Sequence, residues 1–290
     1  MTTATSVSRI RHDSDAMFQE WIQEMTTKLA ACGLVQTADT GQINTGTATR
    51  PAPNTSAGYQ IWRFDDALQS TVPVFIRFEY RSGGGTTIPT MFVGVGTSTD
   101  GLGTLTGLNF TPVVMGNSNS SQISDTLRNS YWCHTDGFFG MNWKVGAGNT
   151  EMLFGIARTA NYTTGAATGD GLLVAKLGTT TFAIYAFKLT GTTSIIVETN
   201  VNSAQLCHWP MLTSSSSLVG LDPQVALAWI PLPRVTPVFG LVGVRDSEFL
   251  AHNTFTFTPI GSISHTYLAL SSQFSYMCAA SYLKAAMLWE

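Results

Sequence analysis

Charged side chains are scarce in this chain: they make up 11% of its residues, against about 25% in an ordinary soluble domain. Lys and Arg number 15 and Asp and Glu 18, for a formal net charge of -3, and no basic patch stands out. No strong field exists to draw in nucleic acid or an anionic membrane. Long apolar runs are missing too. Nowhere do about 18 uninterrupted apolar residues mark a membrane span, and the opening MTTATSVSRIRHDSD has no apolar core of the signal-peptide kind. The expectation is a soluble chain made in a cytosol, without membrane insertion. Cysteine is sparse: Cys32, Cys133, Cys207 and Cys278 lie far apart with no CxxC pair, which suits buried reduced thiols better than a disulfide framework.

Hydrophobic residues reach 44%, and Thr, Ser and Gly are abundant. A polar but weakly charged surface fits a protein whose faces are covered by neighbours, because charge is depleted at interface centres. The length allows one large all-β domain with an appendage.

One stretch, GYQIWRFDDALQSTVPVFIRFEY from Gly58, reads as a hairpin. Tyr59, Ile61, Trp62 and Phe64 form an aromatic strand, and Asp65, Asp66, Gln69 and Ser70 supply turn chemistry. Val74, Ile76, Phe78 and Tyr80 then alternate with Phe75, Arg77 and Glu79. One face of the second strand is expected in the core and the other mixed. Before it, Phe18, Trp21, Ile22, Met25 and Leu29 recur at helical spacing, with Ser14 or Asp13 as N-cap and Gly33 as the stop. These five are the proposed docking face of an amphipathic helix, packing on the chain's own sheet or on a neighbour. The Thr-, Pro- and Gly-rich segment after it reads as a connector with one short strand.

Further strands are expected at 91–96, 113–115, 137–144, 151–158, 172–177, 182–190 and 194–201, with Asp-Gly pairs at 100, 136 and 170 as turns. Pro231, Pro233 and Pro237 exclude a central strand there, leaving a long loop or an edge segment. Closing strands follow, and 279–290 has the composition of a short helix ending on Trp289. The fold class is therefore mainly β, a β-sandwich or jelly-roll-like domain with an amino-terminal amphipathic helix. Residues 1–57 are the arm, helix and connector, and 58–290 the β domain.

Reactive constellations are weak. Cys133-His134 and Cys207-His208 suggest a zinc set, but adjacent strand residues point to opposite faces, so such dipeptides aim poorly at one ion. GVGTST at Gly94 lacks the third glycine of a dinucleotide loop. No G-x-S-x-G elbow occurs, and Ser264-His265 with Asp100 or Asp136 would form a triad only by accident of folding. The spaced aspartates of a calcium loop are missing. No cofactor, metal or catalytic residue is expected. Stacking rings offer one other route: Tyr131, Trp132, Trp143 and Trp209 are candidate ligand-facing aromatics for a glycan, with core packing as the alternative.

Three segments, GLVQTADTGQIN from Gly33, AGYQIWRFDDALQSTVPVFIRFEYRSG from Ala57 and MFVGVGTSTDGLGTLTG from Met91, resemble virion structural proteins of tailed bacteriophages, of the minor tail or tail-associated type. The resemblance runs from the amino terminus to about Phe110. It implies a non-enzymatic structural subunit, tail or baseplate associated. Such a subunit assembles in the host cytoplasm into the virion, with copies of itself and other virion proteins as partners. A receptor- or glycan-binding module of the phage and a capsid decoration protein are the alternatives it leaves open.

Overall fold

The computed structural model describes residues 3–9, 13–84, 89–107 and 112–116 and, from 129 to 288, the strands named below. The chain begins with β1 (Thr3–Arg9) and α1 (Asp15–Ala31), followed by β2 (Val35–Gln36), β3 (Ser56–Arg63), β4 (Phe75–Ser82) and β5 (Pro89–Gly96). Then come the short β6 (Ser98–Thr99) and β7 (Leu105–Thr106), with β8 (Val113–Gly116). A meander follows: β9 (Asn129–Thr135), β10 (Phe138–Lys144), β11 (Glu151–Asn161), β12 (Ala167–Leu177), β13 (Thr181–Lys188) and β14 (Ile196–Val201). Last are β15 (Val225–Ala226), β16 (Val235–Pro237), β17 (Leu241–Arg245), β18 (Thr254–Phe257), β19 (His265–Ala269) and β20 (Leu283–Leu288).

The fold is mainly β, with antiparallel sheets and an amino-terminal helix. The sheet orders are β2-β3-β4-β5-β8, then β1-β9-β10-β11-β12-β13-β14 with β16 joined to β11, then β15-β17-β20-β19-β18, and a ribbon of β6 and β7.

Local chemistry sets both ends of α1. The Ser14 hydroxyl accepts from the Met17 backbone N–H at 3.2 Å, which satisfies one donor that the first turn leaves open. At the other end Gly33 adopts φ 90°, its N–H reaches the Ala30 carbonyl, and the Leu34 N–H reaches the Leu29 carbonyl at 3.1 Å. This is the paired-bond glycine stop, with buried Leu34 and Leu29 supplying its usual apolar contact. The connector clamps the helix. Asp15 Oδ1 accepts from the Arg50 N–H at 2.8 Å, the Arg50 guanidinium donates to the Asp13 carbonyl, and Gln19 donates to the Ala48 carbonyl.

Strands β3 and β4 form the expected hairpin, with Trp62 opposite Ile76 and Gln60 opposite Phe78. A single 3-10 turn at Ala67–Ser70 joins them, and Asp66 caps it by accepting from the Leu68 N–H. Gln69 closes the loop through its amide, accepting from the Val74 N–H and donating to the Val74 carbonyl. Along β4 burial alternates strictly: Ile76, Phe78 and Tyr80 are buried, and Phe75, Arg77 and Glu79 are half-buried. The period of two has separated two faces.

The inner face of this sheet, with Trp62, Ile76, Phe78, Tyr80, Met91, Val93, Val95 and Met115, is fully buried. Against it lie Phe18, Trp21, Ile22, Met25 and Leu29 of α1, all at 2% exposure or less. Trp21 meets the Tyr80 ring edge to face at 5.4 Å, and Phe78 meets Phe139 of β10 at 6.1 Å. Phe139, Met141, Phe154 and Ile156 thereby bring the middle of the meander into the same core. A buried amide is set into it. Gln60 accepts from the Tyr80 hydroxyl at 2.7 Å and from the Trp62 indole at 3.4 Å, and donates to Thr26 Oγ1 at 2.6 Å. Thr26 in turn donates to the Ile22 carbonyl.

Three expectations are corrected. The segment with helical composition near the carboxyl terminus is β20, held between β17 and β19 with Met287 opposite both Leu241 and Leu268; two-sided pairing overrides the helix preference of its Leu, Lys, Ala and Met residues. The polar arm holds β1, at the end of the meander sheet against β9. Asp170-Gly171 makes no turn and lies within β12, opposite Lys188 and Phe187. Strand β9 is additional to the expected set and pairs Thr135 with Phe138; the expected turn at Asp136 lies outside the described residues.

Trp21→Ala is expected to lower stability by about 3–5 kcal/mol, because it leaves a cavity between helix and sheet. Urea unfolding followed by circular dichroism measures this, and a loss below about 1 kcal/mol would show that the helix does not depend on that contact.

Candidate functional site

The five residues of the docking face are brought together, but they face the chain's own sheet. They form part of the core and offer no surface to a neighbour. Of the candidate ring platform, Tyr131 and Trp132 stand in β9 opposite Asn142 and Met141, and Trp143 stands in β10 opposite Ser130. The structure thus gathers these three on one hairpin. Trp209, like Cys207 and His208, lies outside the described residues. Cys133 and His134 stand opposite Gly140 and Phe139. Among the described residues no group of three or more His, Cys, Asp or Glu is placed to hold a metal ion, and no helix is long and apolar enough to cross a membrane. Cys32 is fully buried, and burial pushes its thiol up, away from the reactive thiolate.

Among the described residues, the best-formed polar surface is the outer face of the β2-β3-β4-β5-β8 sheet. The alternation that buries Ile76, Phe78 and Tyr80 puts Arg77, Glu79 and Arg81 on this side. Glu79 lies between the two arginines, at 2.5 Å from Arg77 Nη1 and 2.7 Å from Arg81 Nη1. The Arg77 guanidinium stacks 4.5 Å over the Tyr59 ring, and that of Arg81 lies 4.4 Å over Phe92. Planar, weakly hydrated guanidinium groups suit both contacts at once. Burial raises the Glu79 pKa, but hydrogen bonding and charge from Arg77, with hydrogen bonds from Ser56 and Arg81, outweigh it and hold the carboxyl below its ordinary value.

Two loops lock over this face. Gln42 performs the task of a strand at the β3 edge, its Oε1 accepting from the Ile61 N–H at 2.8 Å, while the Thr37 and Ile43 N–H groups reach the Ile61 and Tyr59 carbonyls. An edge that would otherwise present unpaired donors is thus closed within the chain. Asp39, only 9% exposed, accepts from the Thr99 hydroxyl at 3.0 Å and the Gly103 N–H at 3.2 Å. The Tyr59 hydroxyl is shared between the Thr40 carbonyl at 2.7 Å and the Leu102 carbonyl at 3.1 Å. Gly103 has φ +102°, and a Cβ there would strike the Tyr59 ring. Asp100 accepts from the Thr104 and Leu102 N–H groups, which lower its carboxyl pKa.

Asp39, Glu79 and Asp100 are therefore committed to fixed donors. Glu79 and Asp100 are shifted away from the near-neutral value that a general acid needs. In the sequence the signals of this surface were the Arg-Glu-Arg alternation of β4 and the turn pair Asp100-Gly101; the partners Asp39, Gln42 and Tyr59 carry no local signature. Comparison with protein-family models, with curated proteins and with solved structures finds no match to this chain.

Gly103→Ala is expected to cost about 2–4 kcal/mol, from the positive φ and the collision with Tyr59; an unchanged melting temperature would show that the loop lock is not as described. Because the folded pKa of Glu79 is depressed, its contribution is complete above the unfolded value near 4.5 and is lost as pH falls through the folded value. Glu79→Gln should lower stability at pH 7 and flatten the decline between about pH 5 and pH 2, read from urea midpoints across that range. An equally steep decline in the variant would remove Glu79 as its source.

Proposed function

We propose that this chain is a non-catalytic structural subunit of a tailed-bacteriophage particle, tail or baseplate associated, that works by assembling with copies of itself and other virion proteins. The observation that carries this reading joins sequence to geometry. The segments that resemble phage tail-associated proteins are those that interlock through Asp39, Gln42, Tyr59, Thr99 and Gly103. A rigid frame whose carboxylates and tyrosine are spent on holding loops is suited to presenting a shape. The low charge of the chain, 11% of residues, favours burial against neighbours. We also read the packing of Phe78 on Phe139 as the contact of a β-sandwich, with α1 filling one end of the space between its sheets.

Size-exclusion chromatography with light scattering, followed by negative-stain imaging of the main peak, tests assembly. Rings, trimers or larger closed particles are expected. A species of 31.2 kDa at every concentration, combined with specific binding on a glycan array, would replace this reading with that of a monomeric receptor-binding module.

A further inference from the structure

We propose that Asp100-Gly101 is a latent modification site, a succinimide-forming pair that the closed 98–104 loop keeps unreactive and that turns to isoaspartate when the loop opens. The inference is independent of the assembly reading above. Glycine has no Cβ to hinder its nitrogen, so among aspartyl pairs Asp-Gly is the one most prone to ring closure in an open chain. The Gly101 nitrogen attacks Asp100 Cγ and gives up its proton, the bond from Cγ to its hydroxyl oxygen breaks, and water leaves. Water then reopens the cyclic imide at either carbonyl. Attack at the original backbone carbonyl yields isoaspartate, with the chain running through Cβ and Cγ and the free carboxylate on Cα. No oxidant or other reagent is consumed.

Exposure alone would leave this pair reactive. Asp100 and Gly101 are both exposed, and Leu102 beside them is 72% exposed. A Cβ on Gly101 would meet nothing within 4 Å, so the surrounding fold does not crowd the reacting atoms. Hydrogen bonds restrain them instead. Asp100 Oδ1 accepts from the Leu102 N–H at 2.8 Å and the Thr104 N–H at 2.9 Å, which fixes the carboxyl across the turn. The Gly101 N–H donates to Thr99 Oγ1 at 3.1 Å, and the Gly101 carbonyl accepts from the Thr40 N–H at 2.9 Å. Ring closure needs rotation about the Asp100 Cα–Cβ and Cα–C bonds to bring Cγ onto the Gly101 nitrogen, and that rotation breaks these contacts. The Thr104 and Leu102 N–H groups also hold the Asp100 carboxyl below its ordinary pKa, in the ionised form whose oxygen leaves poorly.

The turn is itself tied to the sheet and to the 37–44 loop. Tyr59 shares its hydroxyl between the Thr40 and Leu102 carbonyls, and Asp39 accepts from the Gly103 N–H. Local opening of the 98–104 loop gives up these bonds together. Each favours the closed loop by about threefold to tenfold. Acting jointly they hold the pair about a hundredfold or more below its open-chain rate. The change is one-way. Isoaspartate adds a methylene to the backbone and withdraws the carboxylate from Leu102 and Thr104, so the closed turn is not rebuilt.

The full chain, its Tyr59→Phe variant and a free peptide of residues 96–106, each incubated at neutral pH, test this through peptide mapping of isoaspartate. Tyr59→Phe removes the shared hydroxyl and keeps the ring beneath Arg77. Asp170-Gly171 is the internal control, because it pairs with Lys188 and Phe187 in a different sheet. At residue 100 the parent is expected to convert about a hundredfold or more slowly than the peptide. Tyr59→Phe is expected to convert there about threefold to tenfold faster than the parent, with residue 170 unchanged. A parent that converts at the rate of the peptide, or a variant with no gain at residue 100, overturns the proposal. Equal gains at residues 100 and 170 assign the reaction to global unfolding and overturn it as well.

Discussion

The register of α1 on the inner face of its sheet is the constraint on which the rest of this structure depends, and Gln60 is what fixes it. Apolar packing alone tolerates some sliding, since a leucine or methionine finds acceptable contacts at several positions along a helix. A buried amide does not. Gln60 joins Thr26 of the helix to Tyr80 and Trp62 of the sheet, and each polar atom of the group has a partner. Moving the helix by one turn, about 5.4 Å, would leave the Gln60 amide without its helical partner in a dry core, at a cost of about 1–3 kcal/mol. The network contributes less to stability than the surrounding rings and more to uniqueness.

Once the helix is placed, the two faces of one sheet take separate roles. The inner row buries Trp62, Ile76, Phe78 and Tyr80 against α1 and brings in Phe139 and Phe154 of the meander. The outer row is freed from core duty and carries Arg77, Glu79 and Arg81 with their ring partners. Both rows come from one run of alternating residues in β4. A substitution in the inner row acts on folding first, whereas one at Leu102 or Val114 leaves the core untouched. The outer surface can therefore change without loss of the fold.

Legibility in the sequence followed the range of the interactions. The helix, its Ser14 cap and its Gly33 stop are written within a few residues of one another, and so are the β3-β4 turn and the alternation of β4. The short carboxyl-terminal segment misled because Leu283, Ala285, Ala286 and Met287 are good helix formers, while β17 and β19, which hold it as a strand, come from distant parts of the chain. Asp170-Gly171 misled in the same way: its turn chemistry is local, and its pairing with Lys188 and Phe187 is not. On the outer face the alternation of Arg77 and Glu79 was visible, but the meaning of Asp39 was not, because its partners Thr99 and Gly103 lie some sixty residues away.

The sequence by itself determined the mainly β class, the amphipathic helix with its ends, the central hairpin and the weakly charged surface, because each follows from periodicity, capping or composition. Only the tertiary structure decided that the apolar face of the helix belongs to the chain's own core, since periodicity says that a face must be buried and not against what. The locking of the 37–44 and 98–104 loops, and the exposure of Leu102 above them, were likewise decided by contacts between residues that composition and spacing leave unrelated.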